Sequence, residues 1–372
     1  MTATVDQMIA VLNRLAPPRL AESWDNVGLQ FGDRSWPVKK IWVALDPLPE
    51  VVADACENEA DLLVTHHPLF FKPIKKIDCA TPAGRIICLA AAGRLAIFSA
   101  HTNLDSAIGG VNDMLAGILD LDDCRPMCPQ PDARLCKLVI FVPPDHVQAI
   151  LDAVFAHQAG RIGDYTHCSF RGDGTGTFFA DSHTSPAEGH RGMLNEVAEQ
   201  RLEVVVPRDR LDEAVAAARQ AHPYETMAYD VYPLEAGDSA AGLGRWGRLP
   251  SEQTLGDIAL RMKKALQLPV VKIVGDPNRT IDTVAICSGS GSSLLPDAIA
   301  TGAQVYLSGD IGYHTARDAQ QAGIGIIDIG HFTSEQPIVD SLVTVIRGAL
   351  VKEGIRASVA AAKTEKDPFE YR

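Results

Sequence analysis

The order of predicted elements makes this an α/β protein: two similar α/β halves form one core, interrupted by an α+β insert of ferredoxin-like plan. Three observations predict that class. The flanking sections alternate helical spacing with short apolar runs, as parallel strands under helical cover do. The stretch between them runs strand-helix-strand twice, the split β-α-β order. Each flanking section also holds three strands that end in small or polar residues. The expected divisions are therefore 1–125, 126–240 and 241–372. A chain of 372 residues is too long for one compact core, which agrees.

In the first section, apolar spacing predicts a helix over 6–15, ended by Pro17-Pro18. A short strand follows at 29–31, then one at 40–45 that stops at Asp46-Pro47. A helix over 49–59 leads to the apolar run 62–64, which breaks into Thr65-His66-His67-Pro68. Pro68 holds His67 in extended backbone, so the second imidazole stays out of any helix. A helix over 82–92, stopped by Gly93, precedes a strand at 95–98 that ends in Ser99-Ala100-His101-Thr102-Asn103-Leu104-Asp105. A helix over 111–119 closes the section.

Residues 121–130 carry prolines and no periodicity, which predicts a boundary. In the insert, strands are expected at 138–142, 165–170, 177–180, 202–206 and 227–232, with helices over 146–157 and 211–221. Gly172-Asp173-Gly174-Thr175-Gly176 reads as a turn, and 235–239 as a polar linker. The third section brings a helix over 255–266 and strands at 270–274, 283–287, 305–307 and 324–329. The last three end in Ser288-Gly289-Ser290-Gly291, Ser308-Gly309-Asp310 and Gly330-His331-Phe332-Thr333-Ser334-Glu335. Helices are expected over 293–300, over 313–321 with Gly323 as its cap, and from 335 to 350. Residues 363–372 read as a polar tail.

Ligands of open α/β sheets gather at the carboxyl ends of strands. The ionisable residues expected there include His66, His67, Asp105, His331 and Glu335. Imidazoles mixed with carboxylates suit zinc, manganese or iron. Five such donors exceed what one tetrahedral zinc uses, whereas two ions ~3.5–4 Å apart would employ all of them. His331 and Glu335 stand four apart at a helix start, which aims both at one crevice. His101 and His314 are candidates for proton transfer, which imidazole suits near neutral pH. The Ser288–Ser292 loop offers amides that could cradle a phosphate, although such a loop is often only a tight turn.

The formal charge of -13 disfavours a general nucleic-acid binder, which needs a basic face. The first residues lack a basic region followed by an apolar stretch, and no apolar run reaches membrane-spanning length, so a cytoplasmic protein is expected. Its eight cysteines show no C-x-x-C pair and are expected as reduced thiols. Cys124, Cys128 and Cys136 are too loosely spaced for a structural zinc and lack a fourth ligand.

Trp24-Asp25-Asn26-Val27-Gly28-Leu29, Thr65-His66-His67-Pro68, His101-Thr102-Asn103-Leu104-Asp105, Ser288-Gly289-Ser290-Gly291, Ser308-Gly309-Asp310 and Gly330-His331 with Glu335 resemble the Nif-three-like family. Its members are often named GTP cyclohydrolase I type 2 homologues. The middle section, with Gly160-Arg161-Ile162-Gly163 and His222-Pro223-Tyr224-Glu225, resembles the PII/CutA-like insert of longer bacterial members. One departure is Thr226, where the insert's motif has a second acidic residue.

The resemblance implies a dinuclear metal centre on His66, His67, Asp105, His331 and Glu335, in a toroidal homohexamer whose sites face an internal cavity. The expected function is a metal-dependent hydrolase in which a metal-bound hydroxide attacks a nucleotide or related heterocycle. The alternative is a non-catalytic hexameric scaffold or regulatory protein whose PII-like insert binds a partner or effector.

Overall fold

The computed structural model describes residues 3–130, 135–163, 165–234 and 240–370. The linker expected at 235–239 lies outside the described residues. The chain divides into two compact units, Met1–Gln130 with Ala240–Arg372, and Pro131–Ser239.

The first unit holds two mixed sheets. One has five strands in the order Ser358–Ala361, Lys40–Ala44, Leu62–Thr65, Ala96–Ser99 and Gly28–Phe31. Its first four strands are parallel and the last is antiparallel. Leu62–Thr65 and Ala96–Ser99 are buried throughout because helices cover both faces, which is why they read as unbroken apolar runs rather than alternating ones. Among the covering helices, Val5–Leu15 opens on a capping box of Thr4 and Gln7. Pro82–Gly93 opens on Thr81, whose hydroxyl accepts from the Gly84 amide. It stops not at Gly93 but at Arg94, whose φ of 51° takes the left-handed cap. Val43, Val64 and Phe98 pack with Ile338 and Leu342 of the Ile338–Lys352 helix.

The other sheet has six strands: Lys272–Val274, Gly325–Asp328, Val305–Gly309, Thr280–Ser290, Arg245–Thr254 and Asp122–Arg125. The Gly325–Asp328, Val305–Gly309 and Thr280–Ser290 strands are parallel, and the flanking ones are antiparallel. Leu307 and Ile327 pack here against Leu255 and Ile258 of the Leu255–Ala265 helix. Three strands of these two sheets escape sequence reasoning: Asp122–Arg125, Arg245–Thr254 and Ser358–Ala361. The first is exposed at every residue and sits at a sheet edge, so nothing in it alternates. It falls in the stretch expected to be an aperiodic boundary.

The second unit is one antiparallel sheet in the order Ser169–Phe179, Leu194–Pro207, Leu135–Val142 and Tyr229–Pro233. Helices Val147–Phe155 and Leu211–Ala221 share its core, with Ile150 and Ala214 against Leu138 and Val204. The expected turn at Gly172–Gly176 is instead the middle of an eleven-residue strand. Its glycines stay extended and pair in the ladder, Gly172 with Arg201, Gly174 with Glu199 and Gly176 with Val197.

The expectation of eight reduced thiols also fails. Cys79 and Cys88 form a disulfide, because the turn before Pro82 lays Cys79 beside the second turn of the helix it precedes. Among the described residues no helix is long and apolar enough to cross a membrane.

Candidate metal centre

Strand ends of both sheets of the first unit meet at one place. His66 and His67 follow Leu62–Thr65, and their backbone is pinned as the ladder runs out. The amide of His66 donates to the Ala44 carbonyl (3.2 Å), and that of His67 to the Leu45 carbonyl (2.9 Å). The Ser99 hydroxyl donates to the His66 carbonyl (2.9 Å), and the Thr65 hydroxyl to that of His67 (2.8 Å). Asp105 lies on the short helix Thr102–Ser106 after the Ala96–Ser99 strand. His331 and Glu335 bound the helix His331–Glu335, one turn apart on one face.

These side chains converge. The Glu335 carboxylate lies 3.0 Å from His67 Nε2, 3.1 Å from His331 Nε2 and 3.6 Å from His66 Nε2. The Asp105 carboxylate lies 3.7 Å from His66 Nε2, and the Nε2 atoms of His67 and His331 are 3.3 Å apart. His66, Asp105 and Glu335 form one group that could hold a metal ion, His67, His331 and Glu335 a second, and His66, His67 and His101 a third. None of these groups takes in His314, which is exposed near the start of the Tyr313–Ala322 helix with its ring against Tyr313.

Each imidazole in the cluster is oriented from behind. Nδ1 of His66 meets the Ala100 carbonyl (2.9 Å), that of His67 the Asp46 carboxylate (2.7 Å), that of His101 the Asp25 carboxylate (2.9 Å) and that of His331 the Asp310 carboxylate (2.8 Å). With Nδ1 occupied by an acceptor, Nε2 is the atom presented to the centre, as in metal sites whose histidines are fixed by outer carboxylates. The test of fit lies in the orphans. His66 Nε2 and Glu335 Oε2 are buried with no hydrogen-bond partner, although imidazole nitrogens stand 3.0 and 3.1 Å from that oxygen. Such groups are costly unless something between them satisfies them, and a divalent cation suits a nitrogen and carboxylate donor set.

The neighbouring backbone leaves no spare room. Gly289 has φ of +63°, and a Cβ there would stand 2.2 Å from Glu335 Oε1. Two of the amides of the Ser288–Ser292 loop are engaged within the protein. The Ser288 amide donates to the Asn112 side chain (2.8 Å) and the Gly289 amide to the Ser334 hydroxyl (2.8 Å), so both are already used. The Ser288 hydroxyl donates to Asp105 (3.1 Å).

The electrostatics of the metal-free cluster follow from this packing. Burial opposes charge on His67, but the Asp46 and Glu335 carboxylates outweigh it and hold its pKa at about 10. The Glu335 carboxylate raises His331 to about 9, against partial burial. His66 is raised as well, its burial overcome by Asp105 and Glu335. Burial and the neighbouring Glu335 charge push Asp105 up, whereas Glu335, despite burial, is held well below the usual range by the imidazoles around it. Asp25, although burial opposes its ionisation, is lowered to about 2 by His101 and Thr102.

Raised imidazole values stabilise the metal-free fold below the unfolded value near 6.5. That contribution is lost as pH climbs through about 9 for His331 and about 10 for His67. A divalent cation bound here would have to displace these protons, so zinc loading at pH 7 is expected to release them, with apparent affinity rising up to about pH 10. Calorimetry in two buffers of different ionisation enthalpy counts them, and a count of zero would contradict the charge pattern.

Sequence reasoning missed two of the three orienting acids, Asp25 and Asp46. Both stand in segments it had marked, one inside Trp24-Asp25-Asn26 and one where a strand stops, and that position was the available signal.

A mixed α/β core that gathers imidazoles and carboxylates at strand ends defines a class of protein with a candidate metal site. The chain belongs to the family described as Duf34/NIF3 (NGG1p interacting factor 3), whose model matches residues 3–368. A Bacillus subtilis protein named GTP cyclohydrolase 1 type 2 homolog is 35% identical over 365 residues, 98% of each chain. A Mycobacterium tuberculosis protein of the same name is 40% identical over 352 residues, 93% of this chain and 92% of that one. The crystal structure of a Bacillus cereus protein related to NIF3 covers 100% of both chains at 34% identity, with a TM-score of 0.84.

Proposed function

We propose that this chain is a dinuclear-metal hydrolase acting on a nucleotide or related heterocycle. The observation that carries the reading is the convergence of the Nε2 atoms of His66, His67 and His331 on Glu335, each ring held at Nδ1 by an oxygen. His66, His67, Asp105, His331 and Glu335 would hold two divalent ions, zinc first, with iron or manganese also suited to this donor set. Such ions supply an acidified water as nucleophile and a Lewis acid for the substrate. His101, with Nδ1 fixed by the ionised Asp25, keeps Nε2 available to accept or return a proton beside the cluster. His314 has no part in this reading.

The two sheets of the first unit are inferred to be related halves, since each sends its parallel strands' carboxyl ends to the same centre. The insert is inferred to be ferredoxin-like from its strand order. A homohexameric ring is the assembly proposed.

The test is turnover by zinc-loaded protein, with GTP first and then a panel of purine and pteridine compounds. Hydrolysis that disappears on chelation and in His67→Ala supports the proposal. Equal behaviour of wild type and His67→Ala towards every compound sinks it. Loss of the oligomer on chelation, with no turnover beforehand, would favour a scaffold instead.

A further inference from the structure

Beside the imidazoles lies a cavity of about 530 Å³, lined on one side by His67 and His331. That volume falls within the range of sites that enclose a small molecule. Another part of its lining is unexpected, because it comes from residues that read as a polar tail. Asp367, Pro368 and Phe369 border the cavity.

That segment is anchored. The Ala362 amide donates to the Val43 carbonyl (2.8 Å), extending the strand pairing. Three residues on, the Glu365 carboxylate accepts from the amides of Leu45 (2.9 and 3.0 Å) and Asp46 (2.6 Å). The strand end it grips carries Asp46, whose carboxylate holds His67. The segment is thus fastened to the backbone that positions the metal cluster.

The lining tells what kind of molecule fits. Phe332, Val270 and Phe369 supply apolar surface, and Phe369 is 71% exposed and Val270 43% exposed, so both have uncovered faces. Asp46, Asp310, Asp328 and Asp367 supply negative charge. Among the described residues the cavity has one lysine, Lys272, 2.6 Å from Asp328, and no arginine lines it. A polyphosphate would meet these carboxylates, while among the described residues each cationic group of the lining, Lys272 and the imidazoles of His67 and His331, already faces a carboxylate of its own. A flat ring bearing N–H donors would cover the aromatic and valine surfaces and find acceptors at the rim.

We propose that this cavity binds an uncharged or cationic nitrogen heterocycle, as free base or nucleoside, through the wall formed by the carboxyl-terminal segment, and that it does not read a phosphate chain. This deepens the hydrolase reading and rests on it only for what becomes of the bound ring.

The test is calorimetry on the full chain, zinc-loaded and chelator-treated, with guanosine, inosine, GTP and inorganic triphosphate as probes. Guanosine is expected to bind, and inosine, which lacks the exocyclic amino donors, about tenfold more weakly. In chelated protein GTP gains nothing over guanosine and triphosphate does not bind. Phe369→Ala, at an exposed position, is expected to weaken guanosine about five- to a hundredfold, with Phe369→Trp restoring it. Glu365→Gln should weaken it too, with a smaller loss of zinc than Glu335→Gln, because it reaches the cluster only through the backbone at Asp46. Three outcomes overturn the proposal: no guanosine binding in either form, tighter binding of triphosphate than of guanosine in chelated protein, or guanosine binding that ignores Phe369→Ala. If guanosine binds through Phe369 while nothing is turned over, the cavity stands and the hydrolase reading falls. Turnover that ignores Phe369→Ala has the reverse meaning.

Discussion

Glu335→Gln is expected to remove metal binding from the whole cluster, lowering affinity at least about a hundredfold, since loss of even an outer carboxylate costs up to about that much. Among the described residues Glu335 is the one carboxylate within 3.6 Å of all three converging imidazoles, so neither of the two candidate groups that contain it would survive intact. Elemental analysis after dialysis reads the outcome directly. Thermal unfolding gives a second measure. Wild type should gain about 2.7 kcal/mol at free metal a hundredfold above its dissociation constant, and the variant almost nothing. The metal-free variant should also be less stable than metal-free wild type by about 3–5 kcal/mol, because raised imidazoles lose the buried charge that offsets them. A variant that keeps the wild-type metal content would exclude Glu335 as a ligand.

Arg245→Met is expected to destabilise the first unit by about 3–5 kcal/mol, the range for breaking a buried ion pair from one side. Arg245 is 2% exposed. Its guanidinium pairs with Asp113 and donates to the carbonyls of Gly242 (2.7 Å), Gly244 (2.7 Å) and Ala107 (3.0 Å). It thereby ties the start of the Arg245–Thr254 strand to the segment just beyond Asp105. Methionine fills much of the volume but leaves three carbonyls and a carboxylate without their donor. Arg245→Lys should rescue little, since one ammonium cannot serve a fork of five donors. Denaturant titration followed by the fluorescence of Trp42 and Trp246, both in this unit, would show the shift in midpoint. An unchanged midpoint would mean that these contacts contribute nothing net.

How much of this was legible in the chain depended on whether the signal was local. His66 and His67 stood out because an apolar run breaks at them and Pro68 keeps the second extended. His331 and Glu335 stood out because a spacing of four on a helix selects one face. Asp46 and Asp25 did not, since an acid after a strand or beside an asparagine reads equally well as a turn. Glu365 was out of reach, as its partners are backbone amides about 320 residues earlier and amides leave no trace in composition. The Gly172–Gly176 stretch misled for the opposite reason: glycine is enriched in turns, yet a long ladder with Leu194–Pro207 holds it extended. The polar edge strand Asp122–Arg125 had no periodicity to display, and in the neighbouring Arg245–Thr254 the buried alternate positions are Arg245, Gly247 and Leu249, only one of them a large apolar residue.

The strand Ser358–Ala361 lies beside Lys40–Ala44, so one margin of the sheet that carries His66 and His67 is supplied by residues synthesised long after the strand they cover. Until they emerge from the ribosome, Lys40–Ala44 keeps an unpaired border and the Leu45 and Asp46 amides lack the carboxylate that grips them. A nascent chain can therefore finish Pro131–Ser239 before the unit it interrupts, and the imidazole cluster is completed only after His331 and Glu335 have followed that insert. A chain that stopped before Glu365 would forfeit the grip on the backbone at Asp46.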